Sequence, residues 1–356
     1  MAATNNPLEG TSAAAPTVSA RTFTIAGILV TIHGLAELPS TATSITCLWL
    51  LNPRLQTKET MAPIASQIIS AWNAQSPHSV GLIAAAFDQR NHGSRLVDKL
   101  HNEAWRQGNE THAVDMFGCY HGTAVDCSQL IDHMESYIFP PSSPSPVTNI
   151  STHFALGISL GGHATWHLLL ADPRITAGVV GIGCPDYTRL MTDRARLSKR
   201  ASYTASTPPG ASFLGSQDFP PPLMAAVAQF DPAGLLLPGV FDPVGSDRPV
   251  GSETLTRFRT LVRDRLSGKH ILNLSGGADK LVPYAAGEPF LRVFSKVLSQ
   301  DPALDVHFSD EIFDGVGHAF PEAMADRATE WVCGLLAAQQ RALGQQPGGE
   351  RRGSKM

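Results

Sequence analysis

The pattern Gly157-x-Ser159-x-Gly161 is the feature that most limits how this chain of 356 residues can fold. An apolar run over residues 154–158 leads into it, and a segment compatible with a helix follows over residues 161–170. A serine at a sharp turn from strand to helix has a strained backbone, so its neighbours two positions away on each side must be glycine. The pattern therefore predicts a strand, a tight turn with Ser159 at its tip, and a helix. Because the pattern is short, its setting in the chain decides what it means.

Composition narrows the class of protein. Hydrophobic residues make up 43% and charged residues 16% of the chain, which is typical of a globular protein rather than a disordered one. The net charge of -4 gives no basic surplus for binding nucleic acid. The 5 cysteines are scattered without a Cys-x-x-Cys pair, which indicates neither a zinc site nor a disulfide framework and favours a reducing compartment. No metal, cofactor or membrane span is predicted, since the histidines lack ligand spacing and no phosphate loop or long apolar run occurs.

Strand-like and helix-like segments alternate along most of the chain. Two β-branched runs within residues 21–34 predict a hairpin. Buried strands are predicted for residues 45–51, 80–87, 153–158, 176–183, 269–275 and 304–308, and helices for residues 61–72, 113–138, 161–170 and 321–343. This alternation predicts an α/β protein with a mostly parallel sheet of about eight strands and helices on both faces.

One long segment, residues 187–268, breaks this alternation. It contains helical pieces and proline-rich joints but no clear strand. An insertion of this size between two core strands predicts a helical lid over the carboxyl ends of the strands. The core is then divided into residues 21–186 and 269–343. We expect residues 1–20 to be disordered and residues 344–356 to form a flexible tail.

The sequence ends in Ser354-Lys355-Met356. This tripeptide resembles the peroxisomal targeting signal Ser-Lys-Leu, with methionine in the last position. It follows a flexible segment that contains glycine. An import receptor reads such a signal when the end of the chain is free and exposed. The sequence thus favours a peroxisomal location with that receptor as a partner. The alternative is a cytoplasmic protein whose polar tail ends this way by chance.

A serine hydroxyl attacks well only when a base removes its proton, and the base needs a carboxylate to orient it. His318 follows the last predicted strand, and Gly315 and Gly317 just before it suit a loop that returns the imidazole over the sheet. Two carboxylates follow earlier strands, Asp279 in a glycine turn after residues 269–275 and Asp186 one strand before. We prefer Asp279 as the partner of His318 because of its strand-and-turn setting, and Asp186 stays open as the alternative. The alternative role for either aspartate is to cap a helix.

Two backbone N–H groups are expected to hold the negative charge that develops on a carbonyl oxygen under attack. Leu160, directly after the serine, supplies the first. The second should come from the loop before the first core helix, where Pro53 has no N–H and Arg54 is therefore the candidate donor. His33-Gly34 has the composition of such a loop, but the order of elements places it in a turn between two strands.

These motifs resemble those of the α/β-hydrolase superfamily. The resemblance rests on Ser159, Asp279 and His318 in that order and on a turn at residues 88–93, and it extends over residues 21–343. It implies the α/β-hydrolase fold with a helical lid. It also implies carboxylic-ester, thioester or related acyl chemistry on a small-molecule substrate.

A narrower resemblance concerns residues 48–54 and 157–163, which are similar to fungal α/β-hydrolases. Some of these are associated with polyketide or polyketide–peptide biosynthesis, including cytochalasan-type pathways. Asn52-Pro53 stands where the superfamily usually has His-Gly, so the oxyanion site departs from the common pattern.

Three functions are therefore to be distinguished. The first is a serine hydrolase acting on a carboxylic ester or thioester. The second is an enzyme that uses the same pocket for condensation, cyclisation or release of a natural-product intermediate without net hydrolysis. The third is a catalytically silent ligand-binding protein, against which the complete set of serine, histidine and aspartate argues.

Overall fold

The computed structural model describes residues 6–9, 16–75, 79–139, 149–245 and 247–345. Within these ranges the strands are β1 (Ala20–Ile25), β2 (Ile28–His33), β3 (Ser44–Leu51), β4 (Val80–Phe87), β5 (Ile150–Ile158), β6 (Ile175–Gly181), β7 (His270–Gly276) and β8 (His307–Phe313). The α-helices are α1 (Ala62–Asn73), α2 (His112–Ile138), α3 (Leu160–Ala171), α4 (Tyr187–Leu197), α5 (Ala201–Thr204), α6 (Pro221–Phe230), α7 (Pro232–Leu236), α8 (Ser252–Leu266), α9 (Tyr284–Gln300) and α10 (Glu322–Gln345).

The strands form one sheet of eight strands in the order β1-β2-β4-β3-β5-β6-β7-β8. Strands β1 and β2 are a hairpin whose turn, Ala26-Gly27, has positive φ at both residues, and β2 pairs antiparallel with β4. Every other pair of neighbours is parallel. The predicted mostly parallel sheet flanked by helices is therefore confirmed.

The central strands are apolar because both of their faces are covered. All eight residues of β4 are buried, as are seven of the eight in β3. On one face, Ile64 and Ile68 of α1 share a buried cluster with Val332 of α10. On the other face, α2, α3, α8 and α9 form the cover, with Trp166 of α3 at 6.2 Å from Phe294 of α9 between ring centroids.

Parallel pairing brings the ends of the five strands β3, β5, β6, β7 and β8 to one edge of the sheet. Leu51 at the end of β3 pairs with Gly157, and Ile158 at the end of β5 pairs with Gly181. At the other side, Gly276 pairs with Phe313. The loops that follow these strands carry the residues singled out by the sequence, so they lie beside one another at this edge.

The predicted insertion, residues 187–268, contains α4 to α8 and no strand in its described residues, which are all but residue 246. Its last helix returns to the helical layer on the sheet, where Phe258 of α8 lies 6.0 Å from Phe294 of α9 between ring centroids. The role of the insertion as a lid stays a prediction.

The sequence predicts disorder for residues 1–20, and the structure differs in the parts of this segment that it describes. Leu8 and Val18 are buried in the same cluster as α1 and α10, and the N–H of Phe320 donates to the Pro7 carbonyl at 2.7 Å. Burial of these apolar side chains accounts for the difference. Helix α10 also continues to Gln345, two residues beyond the predicted end. Residues 346–356, including Ser354-Lys355-Met356, lie outside the described residues.

Two buried carboxylates hold the start of the insertion. Asp186 accepts from the N–H of Arg189 at 2.9 Å and so caps α4. Asp231 accepts from the N–H groups of Tyr187 and Gly234 at 3.2 and 3.3 Å. Burial raises the pKa of Asp186 to about 6. Burial and the charge of Asp186 raise the pKa of Asp231 well above its usual range.

We expect Asp186→Asn to stabilise the protein at pH 8 but not at pH 4. Asparagine caps a helix as well as aspartate does, and it carries no charge that burial penalises. Because the pKa of Asp186 rises from 3.8 to about 6 on folding, its contribution to the free energy of unfolding falls as the pH rises between these values. At about 1.4 kcal/mol per pKa unit, this shift lowers the free energy of unfolding of the wild type by on the order of 2–3 kcal/mol at pH 8. Thermal unfolding at both pH values measures it.

The matched control is Asp193→Asn on the same helix. Asp193 forms a surface ion pair with Arg196 at 2.6 Å, so this variant should change the free energy of unfolding by less than about 1 kcal/mol at either pH. A midpoint for the Asp186 variant that is lower at pH 8 than that of the wild type would contradict the expectation.

Candidate active site

Ser159 lies at the tip of a turn between β5 and α3, as predicted. Its backbone has φ 56° and ψ -110°, a conformation that residues other than glycine rarely adopt. The turn is held from both sides, because the Ser159 N–H donates to the Gly181 carbonyl at 2.8 Å and its carbonyl accepts from His163 at 3.1 Å. Strain of this kind persists only where the surrounding structure over-determines it.

The glycines around Ser159 are required by close contact between backbone segments. A Cβ atom at Gly157 would lie 2.0 Å from the carbonyl oxygen of Gly161, and one at Gly161 would lie 2.0 Å from that of Leu51. A Cβ at Gly162 would lie 2.7 Å from the Gly181 carbonyl oxygen. The spacing Gly-x-Ser-x-Gly thus lets the turn, the start of α3 and the end of β3 meet.

Ser159, His318 and Asp279 form a chain of hydrogen bonds. The Oγ of Ser159 is 2.9 Å from Nε2 of His318, and Nδ1 of His318 is 2.7 Å from Oδ2 of Asp279. The other carboxylate oxygen of Asp279 accepts from the N–H groups of Leu281 and Val282 at 2.8 and 2.9 Å. A carboxylate fixed in this way favours the tautomer in which Nδ1 carries the proton and Nε2 can accept one from the serine.

The loops that carry the histidine and the aspartate contact each other directly. The N–H of Ala278 donates to the Val316 carbonyl at 2.9 Å. A Cβ at Gly276 would lie 2.5 Å from the Gly317 carbonyl oxygen, so the glycine at the end of β7 allows the histidine loop to pass close by. The distance between His318 and Asp279 is therefore set by backbone contacts.

The structure distinguishes the two aspartates that the sequence leaves open. Asp279 is hydrogen-bonded to His318, whereas Asp186 caps α4 and accepts from the backbone of Arg189. In the structure, therefore, the partner of His318 is Asp279 and not Asp186.

The candidate oxyanion donors lie on the two segments that meet at the turn. Leu160 is the first residue of α3, where the N–H groups have no partner within the helix. Arg54 lies in the loop after β3, which is fixed by the Asn52 side chain donating to the carbonyls of Pro53 and Gln56 at 3.0 and 2.9 Å. Their role as donors stays a proposal.

The turn at residues 88–93 holds neighbouring segments together through its polar side chains. Asp88 accepts from the N–H of Lys58 and from both the N–H and the hydroxyl of Ser94 at 2.7–2.9 Å. Arg90 makes a two-pronged hydrogen bond to Asp126 at 2.9 and 3.0 Å. These contacts connect the loops beside the site to α1 and α2.

Two side chains at the site were not assigned a role from the sequence. His163, one helical turn after Ser159, is buried and its Nδ1 accepts from the N–H of Cys184 at 3.3 Å. Burial lowers the pKa of His163 to about 3, so it is neutral and supports the turn through this hydrogen bond. In the sequence, the spacing of four residues between Ser159 and His163 indicates that the two lie one helical turn apart. No sequence pattern indicates a role for Arg194 on α4, because the packing of the insertion cannot be predicted from the sequence.

No group of three or more His, Cys, Asp or Glu side chains in the described ranges is placed to hold a metal ion. None of the helices in the described part of the chain combines the length and apolarity needed to cross a bilayer.

We expect Gly161→Ala to prevent or severely weaken folding. The added Cβ would lie 2.0 Å from the Leu51 carbonyl oxygen, and neither backbone segment can move without disturbing the sheet. The cost should exceed about 4 kcal/mol, which thermal unfolding and soluble yield would reveal. Gly118→Ala is the matched control, because Gly118 is exposed on α2 with no atom within 4 Å of an added Cβ. It should gain up to about 1 kcal/mol, and equal midpoints for the two variants would contradict this account.

No protein-family model and no curated protein matches the chain. Among solved structures, that of TT1662 from Thermus thermophilus is similar with a TM-score of 0.51 and 16% identity, covering 90% of this chain and 98% of that one. A cold-adapted esterase from an Arctic intertidal metagenomic library has a TM-score of 0.46 and 14% identity, covering 88% of this chain and 92% of that one. The acylaminoacyl peptidase of Pyrococcus horikoshii has a TM-score of 0.46 and 13% identity, covering 90% of this chain and 42% of that one.

At 16% identity the similarity to TT1662 concerns the fold alone. The order of the strands, the strained serine between β5 and α3, and the layers of helices on both faces agree with it. The chain has the α/β-hydrolase fold.

Proposed function

We propose that this protein is a serine hydrolase that acts on a carboxylic ester or thioester. The observation that carries the proposal is the chain of hydrogen bonds from Ser159 through His318 to Asp279, placed on a strained turn at the carboxyl ends of the strands. A nucleophile, a base and an orienting carboxylate in this geometry are what acyl transfer requires. Residues held in hydrogen-bonding geometry for this chemistry argue against a purely ligand-binding protein.

The proposed reaction proceeds through an acyl-enzyme. Nε2 of His318 removes the proton of the Ser159 hydroxyl as Oγ attacks the acyl carbonyl, and the same proton then passes to the departing alcohol or thiol. Asp279 keeps the imidazole oriented and stabilises its positive charge. The N–H groups of Leu160 and Arg54 hold the negative charge on the carbonyl oxygen. Water, deprotonated by His318, then releases the acid and restores the serine.

The finer assignment of the substrate rests on the sequence resemblance to fungal α/β-hydrolases of polyketide-type pathways. We infer from it a secondary-metabolite intermediate as the acyl substrate. A condensation, cyclisation or release reaction without net hydrolysis would begin with the same attack by Ser159, and product analysis separates the two: an acid with an alcohol or thiol means hydrolysis.

We expect a fluorophosphonate probe to label the wild-type protein, and Ser159→Ala to abolish the label. Phosphonylation requires a serine that its histidine activates, so the label reports the nucleophile directly. Hydrolysis of p-nitrophenyl butyrate should fall roughly 10⁴-fold or more in this variant. A folded wild-type protein that takes no label would contradict the proposed function.

Asp279→Asn and Asp186→Asn form a matched pair in the same assay. Asparagine at position 279 can still accept from Leu281 and Val282, but its NH₂ group then faces Nδ1 of His318 and favours the wrong tautomer. We expect kcat to fall roughly 10³–10⁴-fold. The Asp186 variant should stay within about threefold of the wild type, since that residue caps α4. The reverse order of the two effects would identify Asp186 as the acid.

We also propose a peroxisomal site of action, supported by the terminal Ser354-Lys355-Met356. A fluorescent protein that carries residues 344–356 at its end should colocalise with a peroxisomal marker, because the import receptor reads the terminal tripeptide. The same fusion ending at residue 353 should remain in the cytosol. Identical distributions of the two fusions would refute the signal.

A further inference from the structure

Two arginines lie on segments that contact the loops of the proposed triad. Arg54 is in the loop after β3, whose last residue pairs with Gly157 in the strand that leads to Ser159. Arg194, on α4, donates from Nη2 to the Leu281 carbonyl at 3.1 Å. The N–H of Leu281 in turn donates to Asp279, so this guanidinium is bound to the turn that carries the proposed triad carboxylate.

These two arginines differ from the others in the described ranges. Both are partly buried, and neither forms an ion pair with a carboxylate oxygen within 4.0 Å. The remaining arginines are either paired with a carboxylate or exposed to water. Those with a carboxylate partner are Arg90, Arg95, Arg174, Arg189, Arg196, Arg200, Arg259, Arg292 and Arg327. Those without one, Arg21, Arg106, Arg248, Arg257, Arg263, Arg265 and Arg341, are exposed.

The contacts of this partly buried pair involve neutral groups. Nη1 of Arg194 lies 3.3 Å from Nε2 of His112 and 2.9 Å from the Met116 sulfur, while its Nε is buried and has no partner. Nη1 of Arg54 donates to the Asn102 carbonyl at 2.6 Å. A guanidinium offers five N–H groups in a planar fork, so these contacts leave donor capacity at both arginines.

The electrostatic setting places the pair in one positive region. Burial lowers the pKa of Arg54 to about 10, with a further lowering from the charge of Arg194 that Glu103 partly offsets. Burial also lowers the pKa of Arg194. The pKa of His112 is lowered by burial first and then by the charges of both arginines, so that His112 is neutral and adjacent to them. The charges of Asp279 and Asp193 partly offset the lowering at Arg194. Neither guanidinium is bonded directly to a carboxylate, however, and burying a cation in this way is costly, so an anionic ligand would reduce that cost.

We propose that Arg54 and Arg194 form a subsite for an anionic group, a carboxylate or a phosphate, on the acyl substrate of Ser159. The proposal rests on the serine-hydrolase function and names its substrate class. A carboxylate and a phosphate both present paired oxygens that match the guanidinium fork. The subsite can therefore bind an anionic group on either the acyl part or the leaving group of the substrate.

Two pairs of matched substrates test the subsite and distinguish the sources of the charge. Mono-p-nitrophenyl glutarate against p-nitrophenyl pentanoate adds a carboxylate to an acyl chain of the same length. Pentanoyl-4′-phosphopantetheine against pentanoyl-pantetheine adds a phosphate to the leaving thiol. We expect the wild type to prefer the charged member of at least one pair in kcat/KM by tenfold or more, which is the order expected for a charge-assisted hydrogen bond.

The variants Arg194→Met and Arg54→Met should each lower this preference about tenfold. Arg194 also holds the turn that carries Asp279, so Arg194→Met can lower kcat/KM for every substrate. This general loss cancels when kcat/KM for the charged substrate is divided by kcat/KM for the neutral substrate of the same variant. Arg194→Lys keeps the charge and should restore part of the preference. Arg196→Met is the matched control, because Arg196 is exposed on the same helix and its loss changes the net charge equally. It should leave the preference unchanged.

The outcomes separate this inference from the proposed function. A wild type that takes the fluorophosphonate label but shows no preference in either pair overturns the subsite and leaves the hydrolase intact. The subsite is also overturned, and the hydrolase left intact, if the preference for the charged substrate survives in both methionine variants. If Arg194→Met does not fold, the substrate preference of Arg54→Met alone tests the subsite, since the Arg54 side chain lies outside the insertion. A wild type without label refutes the hydrolase itself.

Discussion

The site depends on the close approach of backbone segments at the turn before α3. The end of β3, the turn and the first residues of α3 come so near that no Cβ atom fits at Gly157 or Gly161. The hydrogen bond from the Ser159 N–H to Gly181 holds the strained turn against the neighbouring strand. Because the strain is balanced by contacts within the sheet itself, the serine hydroxyl is held in one position before any ligand arrives. Such preorganisation is what a nucleophile requires.

The two aspartates at this edge of the sheet show how neighbouring groups decide the role of one residue type. Asp279 accepts from two backbone N–H groups and faces a histidine. Asp186 is buried, which raises its pKa and favours its protonated form, and it caps the start of a helix. The same carboxyl chemistry thus orients a proposed base in one loop and starts the insertion in the next.

Periodicity and spacing in the sequence predicted the parallel sheet, the turn at Ser159 and the residues that surround it. They were less successful where side chains do not follow a simple pattern. Strand β8 (His307–Phe313) is half-exposed and mixed in polarity, so its prediction at residues 304–308 was displaced toward the buried Leu304. Helix α9 was not predicted, although Phe290 and Phe294 have helical spacing. The strand-and-turn setting of Asp279 was enough to prefer it over Asp186. The position of Arg194 depends on contacts between distant segments, which no local pattern contains.

The hydrogen bond between Phe320 and Pro7 connects the beginning of the described chain to the loop of the proposed base. Phe320 stands two residues after His318, and its ring lies where a Cβ at Gly181 would be 2.6 Å away, at the end of β6. The histidine loop is therefore clamped between the sheet on one side and residues 6–9 on the other. A chain that begins after residue 9 would lack the acceptor for this N–H, and the imidazole would lose part of its support without any change in the residues around it.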